Sequence, residues 1–169
     1  MKGKNEMRYN KIRKMDISNG PGVRVSIFMQ GCAFHCEKCF NPETHDFNGG
    51  KEFTEDTIKR VLALCDNENI EGLSILGGEP MHPKNIEATT KLAKAFKEKF
   101  PNKTIWSWSG FLFDKDLKDK EVLKYMDVLV DGQYVDKLRD PKLKYCGSSN
   151  QRVIDVQKSL QENKVVLVD

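Results

Sequence analysis

The sequence predicts an α/β fold: a partial, open (β/α) barrel with parallel strands. Two observations carry this expectation. Short apolar strands alternate with helical segments along the chain, which is the pattern of repeated βα units. The 169 residues hold about four or five such units, too few to close an eight-stranded barrel.

Taken in order, residues 1–14 are polar and basic and read as a lead-in or an edge segment. Val25-Ser26-Ile27-Phe28-Met29 is the first strand, bounded by Gly20-Pro21-Gly22 before it and Gly31 after it. Residues 54–66 form a helix, because Ile58, Val61, Leu62 and Cys65 fall on one face. Leu73-Ser74-Ile75-Leu76 is the second strand, stopped by Gly77-Gly78. Residues 83–100 form the next helix, with Ile86, Ala93, Phe96 and Phe100 along one side and Pro101 as its end. Residues 104–108 are a third strand, 119–126 a short helix and 128–130 a fourth strand. The tail, 153–168, reads as strand-like pieces around a polar segment. One domain over 1–169 is expected.

Ligands gather at the C-terminal ends of the strands in folds of this kind. The loop after the first strand, Gly77-Gly78-Glu79-Pro80, Ser107-Trp108-Ser109-Gly110 and Asp131-Gly132 all stand at strand ends and should face one mouth.

The loop after the first strand carries Cys32, Cys36 and Cys39 in a C-x3-C-x2-C pattern. Thiolates on one short loop suit an iron–sulfur cluster. Three of them, rather than four, leave one metal position open for a small molecule. Zinc is the alternative, with His35 inside the run as a fourth ligand, but no second half-site follows elsewhere in the sequence. Cys65 lies on an apolar helix face and reads as core; Cys146 reads as an incidental loop thiol. Gly77 and Gly78 let a ligand approach the backbone, and carbonyls with the Glu79 carboxylate suit an ammonium group. Asp16-Ile17-Ser18-Asn19-Gly20-Pro21-Gly22-Val23-Arg24 is either an entry turn or a loop over the same mouth with Arg24 as a fixed cation. Asp131 is either a turn residue or a contact to a ribose hydroxyl or a cation. Strand alternation places Trp106 and Trp108 on one face, in packing roles, and Ser107 on the other. His45 and His82 read as ordinary loop residues.

Charged residues make up 31% of the chain, hydrophobic ones 38%, and the net charge is +3. Basic and acidic residues are interspersed, which argues against a nucleic-acid stripe. No apolar run has the length of a membrane span, and the first residues lack a signal peptide's apolar stretch. Five cysteines, three of them crowded, do not read as a disulfide framework, so a reducing cytoplasm is expected.

The cysteine pattern directly after a first strand, with Gly77-Gly78-Glu79, resembles the radical S-adenosylmethionine superfamily. More narrowly, several segments are similar to the family that activates anaerobic ribonucleoside-triphosphate reductase. They are Asn19-Gly20-Pro21-Gly22-Val23-Arg24, Cys39-Phe40-Asn41, Gly77-Gly78-Glu79-Pro80-Met81-His82-Pro83, Ile105-Trp106-Ser107-Trp108-Ser109-Gly110, Val130-Asp131-Gly132-Gln133-Tyr134 and Gly147-Ser148-Ser149-Asn150-Gln151. The resemblance implies a barrel of the radical SAM type. It implies that Cys32, Cys36 and Cys39 hold three irons of a [4Fe-4S] cluster whose fourth iron binds S-adenosylmethionine. Reductive cleavage would give methionine and a 5′-deoxyadenosyl radical, which takes a hydrogen from a glycine Cα in the reductase large subunit. A flavodoxin-like or other low-potential donor supplies the electron. The implied cofactor-binding residues are Gly78 and Glu79 at the methionine amino group, Lys38 and Phe40 along the adenine and its linker, and Cys39, Gly77, Ser107 and Asp131. Lys38 stands where the superfamily prefers an aromatic residue, and Cys146 where the subfamily often has arginine. An activase of a formate-lyase-type glycyl-radical enzyme is the near rival; the short chain and Gly147-Ser148-Ser149-Asn150-Gln151 favour the reductase. A non-catalytic iron–sulfur or zinc protein is the more distant one.

Overall fold

The computed structural model describes residues 7–168. Its strands are β1 (Arg8–Asp16), β2 (Arg24–Met29), β3 (Lys51–Glu52), β4 (Gly72–Gly77), β5 (Thr104–Ser109), β6 (Val128–Asp131) and β7 (Arg152–Asp155). Three α-helices accompany them: α1 (Glu55–Cys65), α2 (Ile86–Lys99) and α3 (Val156–Glu162). All strands join one seven-stranded sheet in the order β3-β1-β2-β4-β5-β6-β7.

The middle of the sheet, β2-β4-β5-β6, is parallel throughout. These are the four strands that the apolar runs predict, each within a residue of its expected limits. Both flanks depart from the all-parallel expectation: β1 pairs antiparallel with β2 and with β3, and β7 antiparallel with β6. The link between β1 and β2 is too short for a parallel crossover, which needs a dozen or more residues. Much of the segment expected as a lead-in or edge is therefore strand, from Arg8 onward; residues 1–6 lie outside the described residues.

Alternation along the parallel strands sorts their side chains onto two faces. Val25, Ile27, Leu73, Ile75, Ile105 and Leu129 point to α1 and α2, where they meet Val61, Cys65, Leu92 and Phe96 in one core. Cys65 is fully buried there, and burial pushes its thiol up to about 12, as befits a small hydrophobe. The second expected helix begins later than Pro83, because residues 82–85 form a turn (Asn85 N–H to His82 O, 2.7 Å) before α2 starts. The short helix expected at 119–126 is a 3-10 turn, Glu121–Tyr125. In the tail the polar segment is helix α3, and strand-like pairing flanks it on both sides through β7 and an Ile154–Leu167 bridge.

The opposite face of the sheet carries Arg24, Ser26, Phe28, Ser74, Leu76, Trp106 and Trp108. There the chain from Gly132 to Gln151 crosses the sheet and encloses a cavity. No helix among the described residues is long and apolar enough to cross a membrane.

Candidate functional site

The cavity has a volume of about 500 Å³ and is lined at one end by Cys32, Cys36 and Cys39. The cysteine loop follows β2 and is tied to the 3-10 turn Pro42–Thr44 that comes after it. Gly31 N–H donates to Thr44 O at 2.6 Å and Cys32 N–H to His45 O at 3.1 Å. Cys39 N–H closes a turn onto Cys36 O at 3.1 Å, and Asn41 N–H points at Cys39 Sγ at 3.4 Å. His35 and Lys38, the residues just before Cys36 and Cys39, have φ of 46° and 56°. Left-handed backbone at a non-glycine residue costs about 1–2 kcal/mol and concentrates at functional sites. The loop is thus held in a shape it would not adopt alone. Burial raises the thiols of Cys32 and Cys36 above the ordinary value.

The adjoining wall is the end of β4. Gly77 has φ +122° and only a glycine sits there without strain. At Gly78 a Cβ would stand 2.5 Å from Gly31 O and 2.8 Å from Thr44 O, so this glycine lets the turn close against the cysteine loop. Glu79 N–H reaches Gly31 O at 2.8 Å, and Asn85 Nδ2 donates to both Glu79 O and Gly31 O at 2.9 and 3.3 Å. The Glu79 side chain is 1% exposed. One carboxylate oxygen accepts from Met81 N–H and Ser109 Oγ–H, at 2.9 and 2.7 Å; the other accepts from Gly110 N–H at 2.6 Å. Burial pushes its pKa up to about 7 despite those three donors. Its carboxylate therefore pins the ends of β4 and β5 together.

The remaining wall comes from 132–151. Gln133 Oε1 stands 4.0 Å from Cys36 Sγ. Phe40, 62% exposed, meets Tyr134 with ring centroids 4.8 Å apart. Trp108 Nε1–H donates to Tyr145 O at 2.7 Å, and the Tyr145 ring packs edge-on to Trp106. Tyr145 is itself left-handed, φ 67°, and Cys146 beside it lines the cavity.

Three thiols on one cavity are the donor set an iron–sulfur group takes. Among the described residues no three His, Cys, Asp or Glu side chains are drawn into a preformed metal cage. The loop, the glycine wall and the room inside fit such a group.

A family profile described as a 4Fe-4S single cluster domain matches residues 18–154. The anaerobic ribonucleoside-triphosphate reductase-activating protein of Enterobacteria phage T4 is 42% identical over 147 residues, covering 87% of this chain and 93% of its own. The chain belongs to the anaerobic ribonucleoside-triphosphate reductase-activating protein family. The activating proteins of Vibrio cholerae and Escherichia coli K12 are each 37% identical, over 86% and 87% of this chain and 96% and 97% of theirs.

In this member of the reductase-activating family, Cys32, Cys36, Cys39, Phe40, Gly77, Gly78 and Glu79 come together on the cavity as the sequence suggests. Three expected residues do not line it. Ser107 is on the helix face, as alternation dictates, and its hydroxyl donates to Ile75 O at 2.8 Å. Asp131 is fully buried and held by Arg152 (2.6 and 3.0 Å) and Phe113 N–H (2.8 Å). Lys38 points outward to Asp136 at 3.6 Å. Arg24 is a fixed cation, but it is buried at the far end of β2 from the cysteines. Its loop still contributes Ser18 and Asn19 to the cavity.

Sequence reasoning about the reductase-activating family misses Phe34, Gln133, Cys146 and His45, all on the cavity. Phe34 packs on Phe111 at 4.9 Å and against Gly110, where a Cβ would meet its ring at 2.6 Å. An aromatic residue inside the cysteine run was the available signal. The others have no local signature, because distant segments bring them there.

Proposed function

We propose that this chain activates an anaerobic ribonucleoside-triphosphate reductase by removing a hydrogen atom from one glycine Cα of its large subunit, leaving a glycyl radical. The observation that carries the reading is the meeting of Cys32, Cys36 and Cys39 with the Gly77–Gly78–Glu79 wall on one cavity, in a chain whose relatives are named for this activation. Cys32, Cys36 and Cys39 would hold three irons of a [4Fe-4S] cluster and leave the fourth open to S-adenosylmethionine. When bound, the group would supply the electron for reductive cleavage of the sulfonium bond to the 5′-carbon, to methionine and a 5′-deoxyadenosyl radical.

The protein's own contribution is to bind, orient and shelter. Gly77 and Gly78 offer close backbone to the methionine end. The Glu79 carboxylate, with all three of its donors in place, acts on that wall by bracing it. Phe40 and Tyr134 present apolar ring faces on the side where the adenine would lie. The crossing segment 132–151 limits water around the reacting atoms. On this reading the sheet is an open, partial barrel of the radical SAM type, working as an oxidoreductase in a reducing cytoplasm. Its electron comes from a flavodoxin-like or other low-potential protein.

EPR tests the reading. The anaerobically reconstituted, reduced chain should show a [4Fe-4S]+ signal that changes shape on adding S-adenosylmethionine, and mixing with the reductase should produce a glycyl doublet. Cys36→Ala should lose the cluster iron. A doublet arising only with a formate-lyase-type partner would overturn the choice of substrate, and a zinc-loaded colourless chain the chemistry.

A further inference from the structure

Met15 and Ile17 are the most exposed large hydrophobic side chains among the described residues, at 75% and 77%. Single apolar residues scattered over a surface need no explanation, but these two share one turn. The turn is built to hold them out. Arg13 pairs with Ser26 and Asp16 with Arg24, so β1 carries one residue more than β2 over this stretch, a β-bulge at Lys14 and Met15. Between the two apolar residues Asp16 is buried, and its carboxylate accepts from Ser18 N–H at 2.8 Å, Asn19 Nδ2–H at 2.7 Å and Ser26 Oγ–H at 2.5 Å. The turn also stands at the opening of the cavity. Arg13 and Ser18, on either side of it, are both exposed and both line the cavity, as does Asn19. Phe40, next in exposure at 62%, lines the same cavity from the cysteine loop. Among the described residues β3 pairs only with Arg8 and Tyr9, so no strand lies against the outer edge of β1 beside the turn.

We propose that Met15 and Ile17 are the anchor by which the reductase large subunit docks at the cavity mouth, seated in an apolar pocket of that protein with acidic residues at its rim. The inference rests on the function proposed above, in which a glycine of that subunit is the substrate. A backbone Cα reaches the cavity only when the chain bearing it passes over the opening, so the partner's surface lies on the rim that residues 13–19 help to form. A few side chains seated in pockets carry most of the binding energy of a protein interface. A turn already fixed by the Asp16 bonds loses little freedom on docking. Arg13 and Lys14 are exposed beside the anchor and give it a positive flank, which is why the matching pocket is acidic at its rim. Met15 and Ile17 touch no reacting atom; they position the partner.

The test is the initial rate of the glycyl EPR signal against reductase concentration, with the anaerobically reconstituted full chain. In M15S/I17S the half-saturating reductase concentration should rise about tenfold with the maximal rate near that of the unaltered chain, the mark of lost binding rather than lost chemistry. L160S/L167S trims exposed apolar side chains on and after α3 and should change neither quantity. Hydrogen exchange of the unaltered chain should slow over residues 13–19 when the reductase is added, a readout that needs no variant. Unchanged half-saturation in M15S/I17S, or unchanged exchange over 13–19, overturns the inference and leaves the proposed function standing. So does a defect in M15S/I17S confined to self-association or to binding of phosphatidylglycerol vesicles, which would assign the turn to a second copy or to a lipid surface. An unaltered chain that raises no glycyl signal in the reductase overturns the function proposal along with it.

Discussion

Glu79 shows how a residue can be placed by sequence and yet not explained by it. Its motif puts it at the end of β4. The donors that occupy its carboxylate, Ser109 and Gly110, come from the end of β5, about 30 residues on. An ammonium-binding role for the carboxylate is therefore a natural reading of the sequence, and the geometry adds three protein donors that brace the wall. Its raised pKa has a consequence for stability. The folded state binds the Glu79 proton more tightly than the unfolded chain, so stability from this group is present at low pH. It is lost as pH rises from the ordinary carboxylate range through about 7. Denaturant melts of the metal-free, reduced chain should show that decline, and Glu79→Gln, which cannot titrate, should flatten it. Gly78→Ala should act differently. Its Cβ meets two backbone oxygens, Gly31 O and Thr44 O, so the cysteine loop must move, and cluster iron should fall while the helices stay folded by circular dichroism.

Among the elements, the parallel strands were legible because both faces are covered. β2 is buried at all six positions, and such strands read as continuous apolar runs. β1 was hidden because only Tyr9 and Asp16 of its nine residues are buried, and five of the other seven are polar or charged. β7 falls in the tail expected to hold strand-like pieces, but its place beside β6 was not legible: it is four residues long and held by an ion pair. Arg152 reaches the fully buried Asp131 with Nε and Nη2, and Asp114 at 2.9 Å. Arg152→Ala leaves a buried carboxylate unpaired, and should cost about 3–5 kcal/mol in a urea melt. α1 was read correctly from its apolar face, and its start is sharpened locally. Thr54 N–H donates to Thr57 Oγ1 at 3.0 Å. Thr57→Val, nearly equal in shape, should lower stability by about 1 kcal/mol.

At the scale of the whole molecule the two ends of the parallel strands do different work. One end is sealed by Arg24, fully buried, whose guanidinium makes five hydrogen bonds to Ser74, Pro21, Leu73 and Thr104. Burial pulls its pKa down to about 10, against the opposing pull of Glu71 and Asp127. Arg24→Met should destabilise the chain by about 3 kcal/mol, since several buried acceptors lose their donor together. The other end is open and carries the cysteines. That polarity was legible, because strand order and glycine-bearing strand ends predict a mouth at the C-terminal side. The covering segment was not, since its contacts, such as Trp108 to Tyr145, join residues 37 apart with no periodic pattern. The same covering gives the chain an optical property. Its two tryptophans, Trp106 and Trp108, are neighbours on the cavity face, with ring centroids 6.0 Å apart. All indole emission from this protein therefore originates beside the cysteine-lined cavity. An iron–sulfur chromophore entering there should quench nearly the entire signal at once, so that anaerobic cluster loading can be followed by fluorescence in unlabelled protein.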